Sequence, residues 1–121
     1  MKLRIEDNSI RLRLRKSEVQ ELGHSGRVGG HTSLPGGSFT YALELKSDIS
    51  RMDAQKSGNG IIIFLPEKDG KAWAGNEQVG HQAEVALEGG AKLHLLVEKD
   101  FVCLDRDPAL QQDQYPNPKS I

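Results

Sequence analysis

Five basic side chains near the start of the chain have the types and spacing that point most clearly to a chemistry. Lys2, Arg4, Arg11, Arg13 and Arg15 alternate with aliphatic residues, so on paired strands they would all project from one face. Such a row of cations can contact phosphates of a nucleic acid. The pattern therefore predicts a nucleic-acid-binding face. The alternative is a solvated ribbon whose arginines discourage edge pairing and meet acidic groups elsewhere.

The histidines offer a weaker candidate for a metal site. They are His24, His31, His81 and His94. No two of them have the spacing of a metal half-site on a strand or a helix. His31 and His81 follow similar Val-Gly segments and could approach each other, with Asp48 or Asp100 as a further ligand. The spacing favours ordinary solvated or hydrogen-bonded histidines, so we predict no metal and no cofactor.

The single cysteine does not have the surroundings of a nucleophile. Cys103 lies in the apolar run Val102-Cys103-Leu104 with Asp105 beside it, and both features favour the thiol over the thiolate. We expect it to be buried and inert. The sequence also shows no nucleophile-elbow serine, no convincing carboxylate pair and no phosphate-binding glycine motif. These observations favour a protein without catalysis.

Composition limits the partners and the location. The 121 residues carry 16 Lys and Arg against 17 Asp and Glu, a net charge of -1, so only a local patch could attract a polyanion. No apolar run approaches the ~20 residues of a spanning helix, and Met1-Lys2-Leu3-Arg4 enters a charged strand pattern rather than a signal peptide. One cysteine suits a reducing compartment. We expect a cytoplasmic protein with no membrane partner.

The elements that would position these residues occur twice. Each half has two strands joined by a tight turn, then a short helix, then a second strand pair, and the turns are Asp7-Asn8-Ser9 and Gly58-Asn59-Gly60. Ser17 is the predicted N-cap of the first helix. A shift of 51 positions lays Leu22 on Trp73, and one inserted residue then brings Leu43 onto Leu95. Coincidental similarity of small β-rich segments is the alternative to a duplication.

A tandem ββαββ repeat predicts the fold. Units of about fifty residues are too small to fold alone comfortably, so we expect the two to interleave around one core. The predicted fold class is mainly β with two short helices, arranged as a pseudo-two-fold barrel. The domain would cover residues 1–104, with repeats 1–50 and 51–104. Residues 105–121 would form an extended, acidic, proline-containing arm.

The second repeat differs from the first in its strongest strand. Ile62 and Phe64 stand where the first repeat has Arg11 and Arg13, so Ile61–Leu65 is apolar on both faces and must be covered. The cover would be the arm that starts at Phe101 or a second copy of the protein, and we favour the arm. The sequence therefore predicts an interface at Ile62, Phe64 and Phe101, in a monomer or a homodimer.

Two resemblances add to this reading. The segment Asn59–Pro66, with the helix and the Gly89-Gly90 hairpin after it, resembles the AbrB/MazE swapped-hairpin family, as does Asn8–Leu14. In that family the hairpin binds DNA, which implies this role for Arg4, Arg11, Arg13 and Arg15. The first copy departs from the motif, because Arg15 stands in place of the proline. The whole chain also resembles a small bacterial family of unknown function, from Asn-Ser-Ile-Arg-Leu-Arg-Leu to Glu-Lys-Asp-Phe-Val-Cys-Leu.

Three classes of function remain at this point. The first is a binding module that meets nucleic acid through the basic hairpin. The second is an antitoxin-like module in which the arm Asp105–Ile121 recognises a partner protein. The third is a small-ligand or metal-binding protein, or an enzyme, that uses the interior or the histidines. We expect a binding module without catalysis.

Overall fold

The strands and helices follow the predicted order. The structure is a computed structural model that describes residues 1–102 and 111–116. Within these ranges the elements are β1 (Lys2–Glu6), β2 (Ser9–Leu14), α1 (Lys16–Ser25), β3 (Arg27–Leu34), β4 (Gly37–Lys46), β5 (Asp53–Ser57), β6 (Gly60–Pro66), α2 (Glu67–Trp73), β7 (Gly80–Ala86) and β8 (Lys92–Lys99). The predicted class, mainly β with two short helices, is confirmed.

Helix α1 begins earlier than the sequence predicted. Arg15 occupies the N-cap position, and its backbone N–H donates to Oε1 of Glu18 at 2.9 Å. Ser17, the predicted N-cap, therefore lies inside the first turn. Glu18, three residues after Arg15, accepts the backbone N–H of the actual N-cap residue. The helix ends at Gly26, whose φ of 84° is left-handed and whose N–H donates to the carbonyl of Leu22 at 2.9 Å.

The strands form two four-stranded sheets. The first sheet has the order β1-β2-β8-β7 and the second sheet has the order β3-β4-β6-β5. Every hairpin is antiparallel, while the central pairs β2–β8 and β4–β6 are parallel. The first hairpin of each half therefore pairs with the second hairpin of the other half. The two halves are therefore interleaved. When each strand is replaced by its counterpart in the other half, the strand order of the first sheet becomes that of the second sheet, read in reverse.

The register of the first hairpins agrees with the predicted shift, but that of the second hairpins does not. Leu12 lies between Leu3 and Val97, and Ile63, 51 residues later, lies between Ala54 and Leu43. Leu43 therefore corresponds to Val97 and not to Leu95. The difference arises because the second half has a longer connection from α2 to β7 and a longer turn between β7 and β8.

One apolar core lies between the sheets and the helices. It contains Leu12, Leu14, Val19, Leu22, Val28, Leu43, Met52, Ile63, Leu65, Trp73, Leu95 and Val97. Leu22 and Trp73, which the repeat aligned, are both fully buried, one on each helix. Each fully buried aliphatic side chain stabilises the fold by roughly 1.5–3 kcal/mol, so this shared core keeps the two halves together.

The described part of the C-terminal segment packs against the first sheet and α1. The N–H of Asp100 donates to the carbonyl of Leu14 at 2.8 Å, and the N–H of Tyr115 donates to the carbonyl of Asp100 at 2.9 Å. The N–H of Lys16 donates to the carbonyl of Asp113 at 2.8 Å. Residues 111–116 are thus part of the folded body. The rest of the predicted arm lies outside the described residues.

Candidate nucleic-acid interface

The alternation in β1 and β2 places the arginines on the outer face of the first sheet. Leu12 and Leu14 are fully buried in the core, and successive side chains of a strand point to opposite faces. Arg11 and Arg13 therefore lie on the face away from the core. The same alternation on β8, where Leu95 and Val97 are buried, places Leu96 and Glu98 on this outer face.

The register aligns the charged side chains in rows across the sheet. Lys2 lies opposite Arg13, which lies opposite Glu98. In the next row Arg4 lies opposite Arg11, which lies opposite Leu96, and Gln82 on β7 completes this row. Four of the five predicted cations are thus brought together on one face.

Each predicted cation has a carboxylate within 4 Å. The ion pairs are Lys2–Asp100 at 3.0 Å, Arg4–Glu6 at 3.0 Å, Arg11–Glu98 at 3.7 Å, Arg13–Glu98 at 2.8 Å and Arg15–Glu18 at 3.3 Å. The Arg13–Glu98 pair is the shortest of these, and its Nε donates a hydrogen bond to Glu98 Oε1. The sequence allows one alternative to nucleic-acid binding, a solvated ribbon whose cations meet acidic groups, and these contacts agree with it. All five cations are therefore at least partly neutralised by a nearby carboxylate.

Arg15 lies apart from the other four. It is the N-cap residue of α1, and its guanidinium lies between Glu18 at 3.3 Å and Asp113 at 3.8 Å. The hydrogen bond to Glu18 and the charge of that carboxylate raise the pKa of Arg15. Arg15 therefore serves the start of α1, whereas Arg4, Arg11 and Arg13 belong to the sheet.

A shallow groove crosses the outer face of the first sheet beside Arg4 and Arg11. Its volume is about 510 Å³, and Gln82, His94 and Leu96 also line it. Glu84 lies at the far side, where one of its oxygens is 3.4 Å from Nδ1 of His94. The groove is therefore cationic at the β1–β2 side and acidic at the β7 side. Such an arrangement can hold an extended anion along the β1–β2 hairpin.

The three predicted interface residues occupy two different places. Ile62 and Phe64 lie on the outer face of the second sheet, where Phe64 is 8% exposed and Lys46 Nζ is 5.0 Å from its ring centroid. Phe101 instead pairs with Tyr115, and the two ring centroids are 6.0 Å apart. An interface at these residues remains a prediction, and the structure places Phe101 with the C-terminal segment.

The candidate metal ligands are also separated. His31 is exposed on β3 of the second sheet, His81 is half-buried on β7 of the first, and Asp48 is exposed in a turn. Asp100 is buried and binds Lys2 and Gln114. In residues 1–102 and 111–116, no three His, Cys, Asp or Glu side chains are grouped so that they could hold a metal ion. Cys103 lies outside the described residues.

Sequence reasoning missed a buried lysine between two aromatic rings. Lys99 is 5% exposed, and its Nζ lies 4.9 Å from the ring centroid of Tyr115 and 5.9 Å from that of Trp73. Its ammonium donates to the carbonyl of Asn76 at 2.7 Å. Burial lowers the pKa of Lys99. The alternation of β8 could have revealed this burial. Lys99 follows Leu95 and Val97 at every second position, so its side chain points to the same inner face.

The fold and this face define a mainly β protein of two interleaved halves with a charged outer sheet. A family model described as a family of unknown function (DUF7009) matches residues 1–119, and the chain belongs to this family. No curated protein and no solved structure matches the chain, so the likeness to AbrB/MazE proteins remains a prediction. Across the described ranges, no helix has the length and apolar character needed to cross a bilayer.

Proposed function

We propose that the protein is a binding module that holds the phosphate backbone of a nucleic acid on the outer face of the first sheet. Arg4 and Arg11 are the central contacts, with Lys2 and Arg13 beside them. One observation supports this proposal above the others. Arg4 and Arg11 lie opposite each other on neighbouring strands at the groove, and neither is held by a buried carboxylate.

The existing ion pairs are weak enough for a phosphate to displace. Arg4 pairs with Glu6, and both side chains are exposed. Arg11 lies 3.7 Å from Glu98, which already receives a shorter hydrogen bond from Arg13. An exposed ion pair such as Arg4–Glu6 contributes about 0–1 kcal/mol, and the partly buried Arg11–Glu98 contact is too long for a hydrogen bond at 3.7 Å. Arg4 and Arg11 can therefore turn to a ligand at small cost, whereas Arg13 stays with Glu98.

The chemistry of the side chains suits phosphate. A guanidinium group presents paired N–H donors that match two oxygens of one phosphate, and it stays charged at all physiological pH values. Glu6, Glu84 and Glu98 on the same face reduce the net attraction. We therefore expect the modest, salt-sensitive affinity of non-specific binding, with a Kd of roughly 10⁻⁴–10⁻⁶ M.

The test is fluorescence anisotropy with labelled duplex DNA, single-stranded DNA and RNA at several salt concentrations. Two phosphate contacts predict a slope of log K against log salt of about -2 on duplex DNA. The double variant Arg4→Gln, Arg11→Gln should lose this binding. A matched control, Arg27→Gln with Lys56→Gln, removes two exposed cations from the second sheet and should bind as the wild type does.

Two results would contradict the proposal. One is the absence of salt-dependent binding to all three nucleic acids. The other is an equal loss of affinity in the control variant, because the effect would then follow net charge and not the face that carries Arg4 and Arg11.

A further inference from the structure

One edge strand differs from the other three edges of the two sheets. The edges are β1 and β7 in the first sheet and β3 and β5 in the second. Strand β3 has 8 residues, more than any other edge, and its one Lys, Arg, Asp or Glu is Arg27 at the first position. The other edges have a charged residue in their interior: Arg4 on β1, Lys56 on β5 and Glu84 on β7. Such charges discourage the pairing of a further strand, so β3 is the edge that is open to it.

The register of β3 with β4 shows which backbone groups lie on this edge. Leu34 is paired with Gly37 across a two-residue turn, so these two residues form a hydrogen-bonded pair. Hydrogen-bonded pairs alternate with non-hydrogen-bonded pairs along an antiparallel ladder. The residues whose N–H and C=O groups point away from β4 are therefore Gly29, His31 and Ser33.

These outward-facing groups are accessible to another strand. Gly29, His31 and Ser33 are exposed. Across residues 1–102 and 111–116, their backbone groups make no hydrogen bond to another element. At Arg27, the preceding outward position, the carbonyl accepts a hydrogen bond from the hydroxyl of Ser25 at 3.2 Å, which agrees with the alternation. Strand β3 thus presents three successive residues of one edge to solvent.

The matching edge of the first sheet is covered instead. Leu43 corresponds to Val97, so counting along the two hairpins places Glu84 of β7 where β3 has His31. The guanidinium of Arg51 donates to the backbone carbonyl of Glu84 at 3.4 Å. The two halves therefore differ at this position, because a side chain occupies the edge of β7 and the edge of β3 is exposed.

We propose that β3 pairs with the β3 strand of a second copy of the protein, antiparallel and about a twofold axis. Pairing centred on His31 sets Gly29 opposite Ser33 of the partner subunit and forms about six backbone hydrogen bonds, two for each pair. Leu34, which is 54% exposed, then lies opposite Val28 of the partner subunit. The pairing joins the four-stranded second sheets of both copies into one continuous sheet.

A second copy fits this edge better than a charged peptide does. Residues 28–34 carry no Lys, Arg, Asp or Glu that could select a charged partner. A twofold partner presents the same neutral strand of the same length, and its donors and acceptors recur at the same spacing. The same symmetric pairing at β1, β5 or β7 would bring the charged residues of those strands together.

The pairing does not depend on nucleic-acid binding. Strands β1, β2, β7 and β8 form the first sheet and take no part in it. The face that carries Arg4 and Arg11 therefore stays free in each copy, and either proposal can fail without the other.

The first test is sedimentation equilibrium of the full-length protein without nucleic acid. Edge pairing buries a modest area, so we expect a reversible dimer whose Kd lies between about 1 µM and about 1 mM. The average mass should rise from that of the monomer to twice that value as the concentration increases across this range. A mass that stays at the monomer value throughout would overturn the proposal and leave the edge to a different protein.

A charge exchange tests the register. His31 lies opposite itself at the axis, where the two Cα atoms would be about 5.5 Å apart. His31→Lys alone and His31→Glu alone each place like charges there and should weaken self-association at least about tenfold. An equimolar mixture of the two variants should dimerise again, because the opposite charges then meet. His31 is exposed, so neither substitution disturbs the core.

The matched control is His24→Lys on the exposed face of α1, which should dimerise as the wild type does. Unchanged self-association of His31→Lys would overturn the proposal. A mixture that stays monomeric would also overturn it, because the two strands would then not meet at residue 31.

Hydrogen exchange of the wild type gives a second reading that needs no variant. The amides of Gly29, His31 and Ser33 should exchange more slowly at high protein concentration than at low concentration. Lys56 on the other edge of the same sheet is the internal control, and its amide should exchange at the same rate under both conditions. Equal protection at both concentrations for all four amides would contradict pairing through β3.

Discussion

Asp113 caps helix α1 from a position 96 residues away in the chain. Its Oδ1 accepts the backbone N–H of Ser17 at 3.0 Å, and its other oxygen accepts the hydroxyl of the same serine. The N-cap residue itself, Arg15, cannot accept a hydrogen bond through its side chain. The carboxylate of Asp113 therefore provides the hydrogen-bond acceptor that a Ser or Asp at the N-cap provides in most helices. The same contact attaches the C-terminal segment to α1.

Replacing Asp113 should destabilise the whole protein. Asp113→Ala leaves the backbone N–H of Ser17 without its acceptor, which costs about 1 kcal/mol for a helix cap. Asp113→Asn keeps an acceptor oxygen and should lose less. Urea unfolding followed by circular dichroism measures both changes. The control is Asp48→Ala in an exposed turn, and equal losses at Asp48 and Asp113 would contradict the capping role.

Two glycines should respond to alanine in opposite directions. A methyl group at Gly60 would overlap the backbone carbonyl of Thr40 on the neighbouring strand, so Gly60→Ala should destabilise by about 1–3 kcal/mol or more. Gly23 lies inside α1, and a methyl group there would stand 3.5 Å from its nearest neighbour, the carbonyl oxygen of Gly70. Gly23→Ala should stabilise by about 0.5–1 kcal/mol through helix propensity. Thermal unfolding of the two variants is the measurement, and a shift of the same sign in both would contradict the packing argument.

Glu98 should restrain the proposed nucleic-acid face. Glu98→Gln removes the carboxylate that holds Arg13 at 2.8 Å and lies near Arg11. Exposed ion pairs contribute up to about 1 kcal/mol and this pair is partly buried, so the affinity for duplex DNA should rise by about fivefold. Glu44 occupies the corresponding position of the second sheet and pairs with Arg27 at 2.7 Å, which makes Glu44→Gln the matched control. Equal increases in both variants would show a net-charge effect alone.

His81 should make stability depend on pH between neutral and mildly acidic conditions. Burial lowers its pKa in the folded state, so below pH 6.5 the unfolded chain binds a proton that the folded chain does not. The free energy of unfolding should then fall as pH drops below 6.5, and be fully retained above it. Glu18 and Asp113, whose pKa values are also lowered, act at more acidic pH.

The measurement for this prediction is urea unfolding at pH 7.5, 6.5 and 5.5. The wild type should lose stability across the series, and His81→Phe should lose less. His31→Phe on the exposed strand β3 is the control and should follow the wild type. A His81→Phe series parallel to that of the wild type would assign the pH dependence to other groups.

Local patterns predicted the elements because their physics is local. The alternation from Leu3 to Leu14 gave β1 and β2 within one or two residues, and the apolar run Ile61–Leu65 gave β6. The first turn of α1 was misplaced, because Asp113 and Glu18, and not Ser17, supply the acceptors there. A contact 96 residues away leaves no mark in the local sequence.

The candidate sites were less predictable than the strands. The sequence grouped Arg15 with Arg4, Arg11 and Arg13, since alternation continues through position 15, but the start of α1 removes Arg15 from the sheet. The carboxylates that pair with Lys2, Arg11 and Arg13 lie on β8 or directly after it, so their positions depend on which strands pair.

By itself the sequence determined the class of this protein and its strand faces, because hydrophobic periodicity and turn chemistry act over a few residues. The tandem duplication that the sequence suggested remains a prediction. Tertiary structure alone decided that β2 pairs with β8 and β4 with β6, that Glu98 lies beside Arg13, and that Lys99 is enclosed by two rings. These pairings are the ones that bury a single shared core. The free energy of that core depends on contacts between distant segments, so no short stretch of the sequence determines it.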